Sequence, residues 1–133
     1  MRYRKVYKRG HPKADRKGFI NEHVLIAETA LGKALPDGAE VHHVDENRRN
    51  NARRNLVICQ DHQYHRMLHA RARVVRAGGN PDTQKICGAC GLLKPLSDFH
   101  RFARNQSNGR QPNCADCDRV RVAERRKRLR SAA

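Results

Sequence analysis

Short apolar segments separated by polar stretches predict the elements in the first half of the chain. Over residues 20–31 the apolar side chains recur at the spacing of one helix face, and they are Ile20, Val24, Ala27 and Leu31. Gly32 suits the C-terminal end of this helix. Residues 41–44 and 56–59 are short apolar runs, and the polar residues 45–54 lie between them. The pattern predicts a helix followed by two strands that a polar loop connects.

A longer helix is predicted after the second strand, from a cap at Asp61 to about residue 77. Its predicted buried side chains are Tyr64, Leu68 and Val75. Residues three and four positions apart share a helix face, so a neighbouring stripe holds His62, His65 and His69. The sequence Gly-Gly-Asn-Pro then ends the helix and begins a linker over residues 78–85.

The C-terminal part carries two Cys-x-x-Cys pairs with the spacing of a tetrahedral zinc site, formed by Cys87, Cys90, Cys114 and Cys117. Four sulfur ligands close such a site, so we expect a structural zinc ion there. Cysteine pairs of this kind also favour a reducing compartment over a disulfide framework. The zinc module covers residues 86–118. A basic tail over residues 119–133 is predicted to be helical at its start and frayed afterwards.

Composition and charge limit the partners. The chain has 133 residues, with 29 Lys and Arg against 13 Asp and Glu, and a formal net charge of +16. This excess favours a polyanion, so nucleic acid is expected rather than a membrane or a small-molecule substrate. Aromatic residues make up only 5%, which argues for small, metal-stabilised domains over one large core. No apolar run is long enough for a membrane span or a secretion signal.

The most informative pattern is the order His-His, Asn, His, which His42, His43, Asn55 and His65 provide. The segment VHHVDENRRNNARRNL, preceded by NEHVLIAETALGK, resembles the HNH endonucleases of phages and bacteria. The resemblance implies an α+β fold, with a ββα-metal nuclease core over residues 39–70 of a domain that spans residues 1–77. It also implies a cytoplasmic location in a bacterial or phage-infected cell.

The resemblance assigns a role to each residue of the motif. The second histidine of the pair is the general base of the family, which is His43 here, and imidazole suits this role because it titrates near neutrality. His42 and His65 are the implied ligands of a divalent ion, and His69 joins them as in colicin-type members. Asn55 is implied to hold the polar loop and to orient the base. Because adjacent strand residues point to opposite faces, the two neighbouring histidines can share one site only if the strand end bends.

The implied reaction is hydrolysis of a DNA phosphodiester bond by a histidine-activated water, with one divalent ion stabilising the leaving oxygen. Imidazole ligands suit Zn or Ni, whereas the family often works with Mg or Mn, which we expect as the working ion.

The segments CGACGLLKPLSDF and GRQPNCADC resemble the zinc-ribbon or treble-clef modules of phage nucleases. The resemblance places Lys94, Pro95, Leu96 and Phe99 in a small core beside the zinc. In the tail, basic side chains are expected to contact DNA phosphates, and they are Arg119, Arg121, Arg125, Arg126, Lys127, Arg128 and Arg130.

Several nearby residues have ordinary structural interpretations. His23 is expected to be structural, His62 to lie at the surface, and Cys59 to be buried and inert. Asn50 and Asn51 are expected to hydrogen-bond within their own loop.

Two alternatives to a DNA nuclease remain open. The first is a non-catalytic, zinc-containing DNA-binding protein on a nuclease scaffold. The second is a nuclease that acts on RNA or branched junctions. The sequence leaves open whether one strand or both are cut, and cutting both from a single site requires a dimer or two successive nicks.

Overall fold

The computed structural model of the protein describes residues 2–105 and 108–132. Met1 and Ala133, the outer limits of the predicted nuclease domain and tail, lie outside the described residues. The elements in chain order are β1 (Lys5–Tyr7), β2 (Phe19–Asn21), α1 (Glu22–Leu31), β3 (Glu40–His43), β4 (Leu56–Cys59), α2 (His62–Arg76), β5 (Gln84–Ile86), β6 (Leu93–Pro95) and α3 (Ala115–Ser131). The predicted α+β class is confirmed. The chain divides into two compact units, Met1–His65 and Arg66–Ala133, with the division inside α2.

The first unit begins with an antiparallel pair, β1 with β2, which leads directly into α1. Ile20 lies in β2 and pairs with Val6 of β1, and α1 starts only at Glu22, so the prediction that the helix starts at residue 20 is wrong. The end of α1 is as predicted, because Gly32 adopts a left-handed conformation with φ of 73° and its N–H binds the Glu28 carbonyl.

The two predicted strands around the polar loop form a second antiparallel pair, β3 with β4. Its apolar side packs on α1 in the small core of the unit, formed by Ala27, Leu35 and Val41 with Val24, Ala39, Leu56 and Ile58. In the register of this pair, His42 lies opposite Val57 and His43 opposite Leu56. The histidine pair therefore lies at the end of β3, where the polar loop begins.

Helix α2 begins at His62, and the predicted cap is present because Asp61 Oδ1 accepts a hydrogen bond of 2.7 Å from the Tyr64 N–H. The predicted buried stripe is wrong at two positions. Val75 and Tyr64 are exposed, and Val74 is the buried apolar residue of this helix. The helix phase thus differs by one residue near its C-terminal end.

The second unit contains the antiparallel pair of β5 with β6, the four cysteines and α3. Phe99 is buried against Cys87 and Cys114, as expected for a small core beside a metal site. The predicted linker ends early, since Gln84 already belongs to β5. The prediction of a frayed tail is also wrong, because α3 continues to Ser131.

Among the described residues, no helix combines the length and the apolar character that crossing a membrane requires.

Candidate functional site

The two histidines at the end of β3 are both buried and have different neighbours. His42 is 3% exposed and its ring lies 5.1 Å from that of His65, at an interplanar angle of 73°. His43 is 5% exposed and its ring lies 5.1 Å from that of His23 on α1. This divergence is the alternation that a strand imposes on successive side chains.

The rings of His42 and His65 bring together two of the predicted metal ligands. They come from the end of β3 and the first turn of α2. His69 lies four residues farther along the same helix, which places it one turn beyond His65 on the same side. The helix spacing therefore adds a third imidazole to the side of α2 that carries His65.

A chain of hydrogen bonds fixes the ring of His43. Its Nε2 lies 3.0 Å from Oδ1 of Asn51, and Nδ2 of Asn51 donates a 2.6 Å hydrogen bond to a carboxylate oxygen of Glu22. A carboxylate only accepts hydrogen bonds, so the amide nitrogen must face Glu22 and the amide oxygen must face the imidazole. Nε2 of His43 therefore carries the proton, which leaves the lone pair of the ring on Nδ1.

Aromatic packing covers the other side of His43. The ring of Tyr3 lies 4.7 Å from His23 and 6.1 Å from His43, and the guanidinium of Arg48 lies 5.2 Å from the centre of the Tyr3 ring. Burial, followed by the proximity of His43, lowers the pKa of His23 to about 4. His23 is thus a neutral, buried neighbour of the predicted base.

Asn55 is 7% exposed and holds the polar loop. Its Nδ2 donates hydrogen bonds of 2.8 Å to Asp45 Oδ1 and to the Asn50 carbonyl, while its Oδ1 accepts from the Asp45 N–H at 3.0 Å. Hydrogen bonds from Asn50 and Asn55 also lower the pKa of Asp45. The structure thus places Asn55 at the base of the loop, whereas the amide bonded to the His43 ring belongs to Asn51.

Glu40, at the start of β3, contacts two histidines of α2. Its carboxylate oxygens lie 3.1 and 3.2 Å from Nδ1 of His62, and 2.5 Å separates Oε2 from Nδ1 of His65. The hydrogen bond with His65 is the largest influence that lowers the pKa of Glu40. His62 lies at the surface as expected, but it is part of this cluster.

The four predicted zinc ligands lie together, and their sulfur atoms are within 4.8 Å of one another: Cys87, Cys90, Cys114 and Cys117. Burial alone would raise the pKa of the Cys87 thiol, but backbone N–H groups, including those of Cys90 and Cys114, bring it to about 6. The Cys114 N–H lies 3.3 Å from the Cys87 sulfur. The cluster fits a zinc module of four thiolates.

The predicted DNA contacts all lie on α3 and are exposed. Two of them pair with acidic residues of the first turn, because Arg119 lies 2.5 Å from Asp116 and Arg121 lies 2.9 Å from Asp118. The five basic residues farther along α3 are Arg125, Arg126, Lys127, Arg128 and Arg130.

Sequence reasoning missed the contacts of Glu40, Asn51 and Tyr3 with the histidines, and the contact of Glu22 with Asn51. Asn51 and Glu22 are 29 residues apart, so no local pattern connects them. The nearest signal in the sequence is the run of asparagines in the polar loop, and this run predicts local backbone hydrogen bonding. That interpretation fits Asn50, whose Oδ1 accepts from the Ala52 N–H at 3.3 Å, but it misses the partners of Asn51.

Comparison with known proteins agrees with this geometry. Residues 22–66 match the HNH endonuclease family, and this segment contains α1, β3, β4 and the first turn of α2. The resemblance predicted from the His and Asn pattern is thereby confirmed for this part of the chain, which is less than half of its length. The chain matches no curated protein and no solved structure.

Proposed function

We propose that the HNH endonuclease domain is catalytically active and that the protein is a metal-dependent DNA endonuclease. The observation that carries this proposal is the pairing of His42 with His65 on one side of β3 and the separately oriented His43 on the other. A metal-dependent phosphodiester hydrolase uses both an ion-binding group and a base, and a scaffold used only for binding needs neither.

The proposed general base is His43, acting through Nδ1. Asn51 accepts the hydrogen bond of Nε2 and is itself held by Glu22, so the ring presents its lone pair away from the amide. A neutral imidazole oriented in this way takes a proton from water as the water attacks phosphorus. We assign Asn51 and Glu22 as positioning residues and Asn55 as the residue that holds the loop.

The proposed ion ligands are His42, His65 and His69. The donor set fits a divalent ion, because the ring of His42 at the strand end lies 5.1 Å from that of His65 in the first turn of α2. His69 follows one helix turn after His65. Imidazole donors favour Zn or Ni over Mg, and Mg or Mn remains the expected working ion by resemblance to the family. A bound ion would stabilise the charge that develops on the leaving oxygen.

Duplex DNA is the proposed substrate, since the net charge of +16 calls for a polyanion. The exposed basic residues of α3 can neutralise phosphates and release counterions without reading base sequence. The cysteine module is proposed to hold a structural zinc ion that stabilises the second unit.

A plasmid cleavage assay tests the nuclease proposal. Supercoiled DNA is incubated with wild type, His43→Ala, or His100→Ala as a control that removes an exposed histidine of the second unit, in Mg, Mn or EDTA. We expect cleavage by wild type and His100→Ala with metal only, and a loss of about 10²- to 10⁴-fold in His43→Ala, the usual contribution of a general base.

Single-stranded DNA, branched junctions and RNA serve as parallel substrates. Faster cleavage of one of these would show that it, and not duplex DNA, is the preferred substrate. Tight DNA binding without cleavage of any substrate, in any of the metals, would refute the nuclease proposal and support a DNA-binding role.

A further inference from the structure

A second cluster of metal-binding side chains lies beside the proposed nuclease site and shares one residue with it. It consists of Glu40 at the start of β3 and of His62 and His65 in the first turn of α2. One donor atom of each lies within 4.8 Å of the other two. His62 has no part in the proposed nuclease chemistry, so that chemistry does not explain why these three side chains lie together.

We propose that Glu40, His62 and His65 bind a late transition-metal ion of the Zn class, and that this ion inhibits the nuclease. Two imidazoles and one carboxylate form a donor set that binds Zn with an open coordination position. The same set binds Mg poorly, because Mg prefers oxygen ligands and water. The inhibitory part of this inference rests on the proposed nuclease function.

Backbone structure holds the three donors near one another. Glu40 is paired with Cys59 in the β3–β4 register, and the Asp61 cap fixes the start of α2 at His62, three residues before His65. Both imidazoles direct Nδ1 at the Glu40 carboxylate. The side chain of His62 is 71% exposed, so an ion can enter from solvent.

Inhibition follows from the chemistry of His65. A neutral imidazole has one lone pair and one N–H. While Nδ1 of His65 donates its proton to Glu40, the lone pair is on Nε2 and can serve the nuclease ion. An ion bound at Nδ1 takes that lone pair and moves the proton to Nε2, so His65 no longer acts as a ligand beside His42. The two sites therefore compete for one residue.

A zinc titration of Mg-supported plasmid cleavage tests this competition in the full chain. We expect zinc to inhibit wild type, and His62→Ala to keep the basal rate while raising the half-inhibiting zinc concentration about tenfold or more, as loss of a metal-site partner commonly does. His100→Ala, which removes another exposed histidine, should be inhibited like wild type. Equal zinc sensitivity of wild type and His62→Ala would overturn the proposal.

A binding measurement separates this proposal from the nuclease proposal, because it needs no activity. Zinc is titrated by calorimetry into protein that already contains zinc at the cysteines, in a variant with His42→Ala and His69→Ala that lacks the competing ligands. We expect one further zinc ion to bind, and its affinity to fall about tenfold or more when His62→Ala is added. Unchanged affinity would overturn the second site even if the protein cleaves DNA.

Discussion

At the scale of single residues, the nuclease proposal depends on which ring nitrogen of each imidazole carries the proton. Neighbouring side chains decide this. Glu22 orients the amide of Asn51, and that amide places the proton of His43 on Nε2. Glu40 accepts from Nδ1 of His65 in the same way, so residues beside the motif set the tautomers of its imidazoles.

Asn51→Ala should lower kcat for plasmid cleavage by about 10- to 100-fold, because His43 loses the partner that orients it and keeps only part of the effect of a general base. The matched control is Asn47→Ala, in the same loop, whose Oδ1 accepts only from the Arg49 N–H in the described contacts. We expect its kcat to stay near the wild-type value. Equal rates for Asn51→Ala and wild type would exclude the orienting role.

His23 should make the protein less stable in acid. Its pKa is about 4 in the fold against 6.5 for an unperturbed histidine. Above pH 6.5 it is neutral in both states, and as the pH falls the unfolded state binds a proton first. The free energy of unfolding should therefore drop between pH 6.5 and 4, by about 3 kcal/mol at most.

Denaturant unfolding of wild type and His23→Gln at pH 7 and pH 4.5 measures this effect. The variant lacks the titrating group beside Tyr3 and His43, so its stability should change less between the two pH values. His100→Gln should behave like wild type, because His100 is exposed. A pH difference that is identical in all three proteins would contradict the assignment to His23.

At the scale of elements, the site depends on where α2 begins. The Asp61 side chain caps the first turn through the Tyr64 N–H, and that turn carries both His62 and His65. Fraying of the turn would move a proposed metal ligand, so stability and metal binding should be linked at this position.

Asp61→Ala should cost about 1 kcal/mol of stability through loss of the cap, together with weaker metal binding at the histidine cluster. Asp61→Asn is the matched control, since Asn caps a helix about as well as Asp. Thermal unfolding and metal titration of both variants check the prediction. Equal losses in Asp61→Ala and Asp61→Asn would point to charge rather than to capping.

At the scale of the whole molecule, the chain forms two small units, and their cores differ in composition. The first unit buries Ala27, Leu35 and Val41 between α1 and the β3–β4 pair. The second buries Phe99 against cysteines. A core with so few apolar side chains needs a further source of stability, and the proposed structural zinc ion would supply it through folding-coupled binding.

Cys114→Ser should therefore unfold the second unit and reduce the zinc content by about one ion per chain. Zinc content is measured by atomic absorption after dialysis against Mg, and unfolding by thermal denaturation. Cys59→Ala, a buried cysteine outside the cluster, should lose stability without losing zinc. A zinc content that stays at the wild-type value in Cys114→Ser would exclude the cysteine site.

Local sequence patterns were sufficient to predict many of the secondary-structure elements and motifs of this protein. The apolar runs predicted β3 and β4, and Asp61 and Gly32 predicted the ends of two helices. The spacing of the His and Asn residues predicted the HNH resemblance, and the spacing of the Cys residues predicted the cysteine cluster. These features depend on residues close together in the chain, where periodicity and capping operate. The phase of α2 at Val74 was missed because burial depends on what packs against a helix.

Only the tertiary structure decided the partners of the histidines. Glu22 reaches Asn51 across 29 residues, and Glu40 reaches His65 across 25. Such contacts arise when strands and helices pack, and the one-residue alternation of β3 then sends His42 and His43 to different neighbours. The sequence by itself determined the chemical groups of this protein, whereas packing determined which groups meet. The reason is that hydrogen bonds form between groups that are close in space, and the partners here are far apart along the chain.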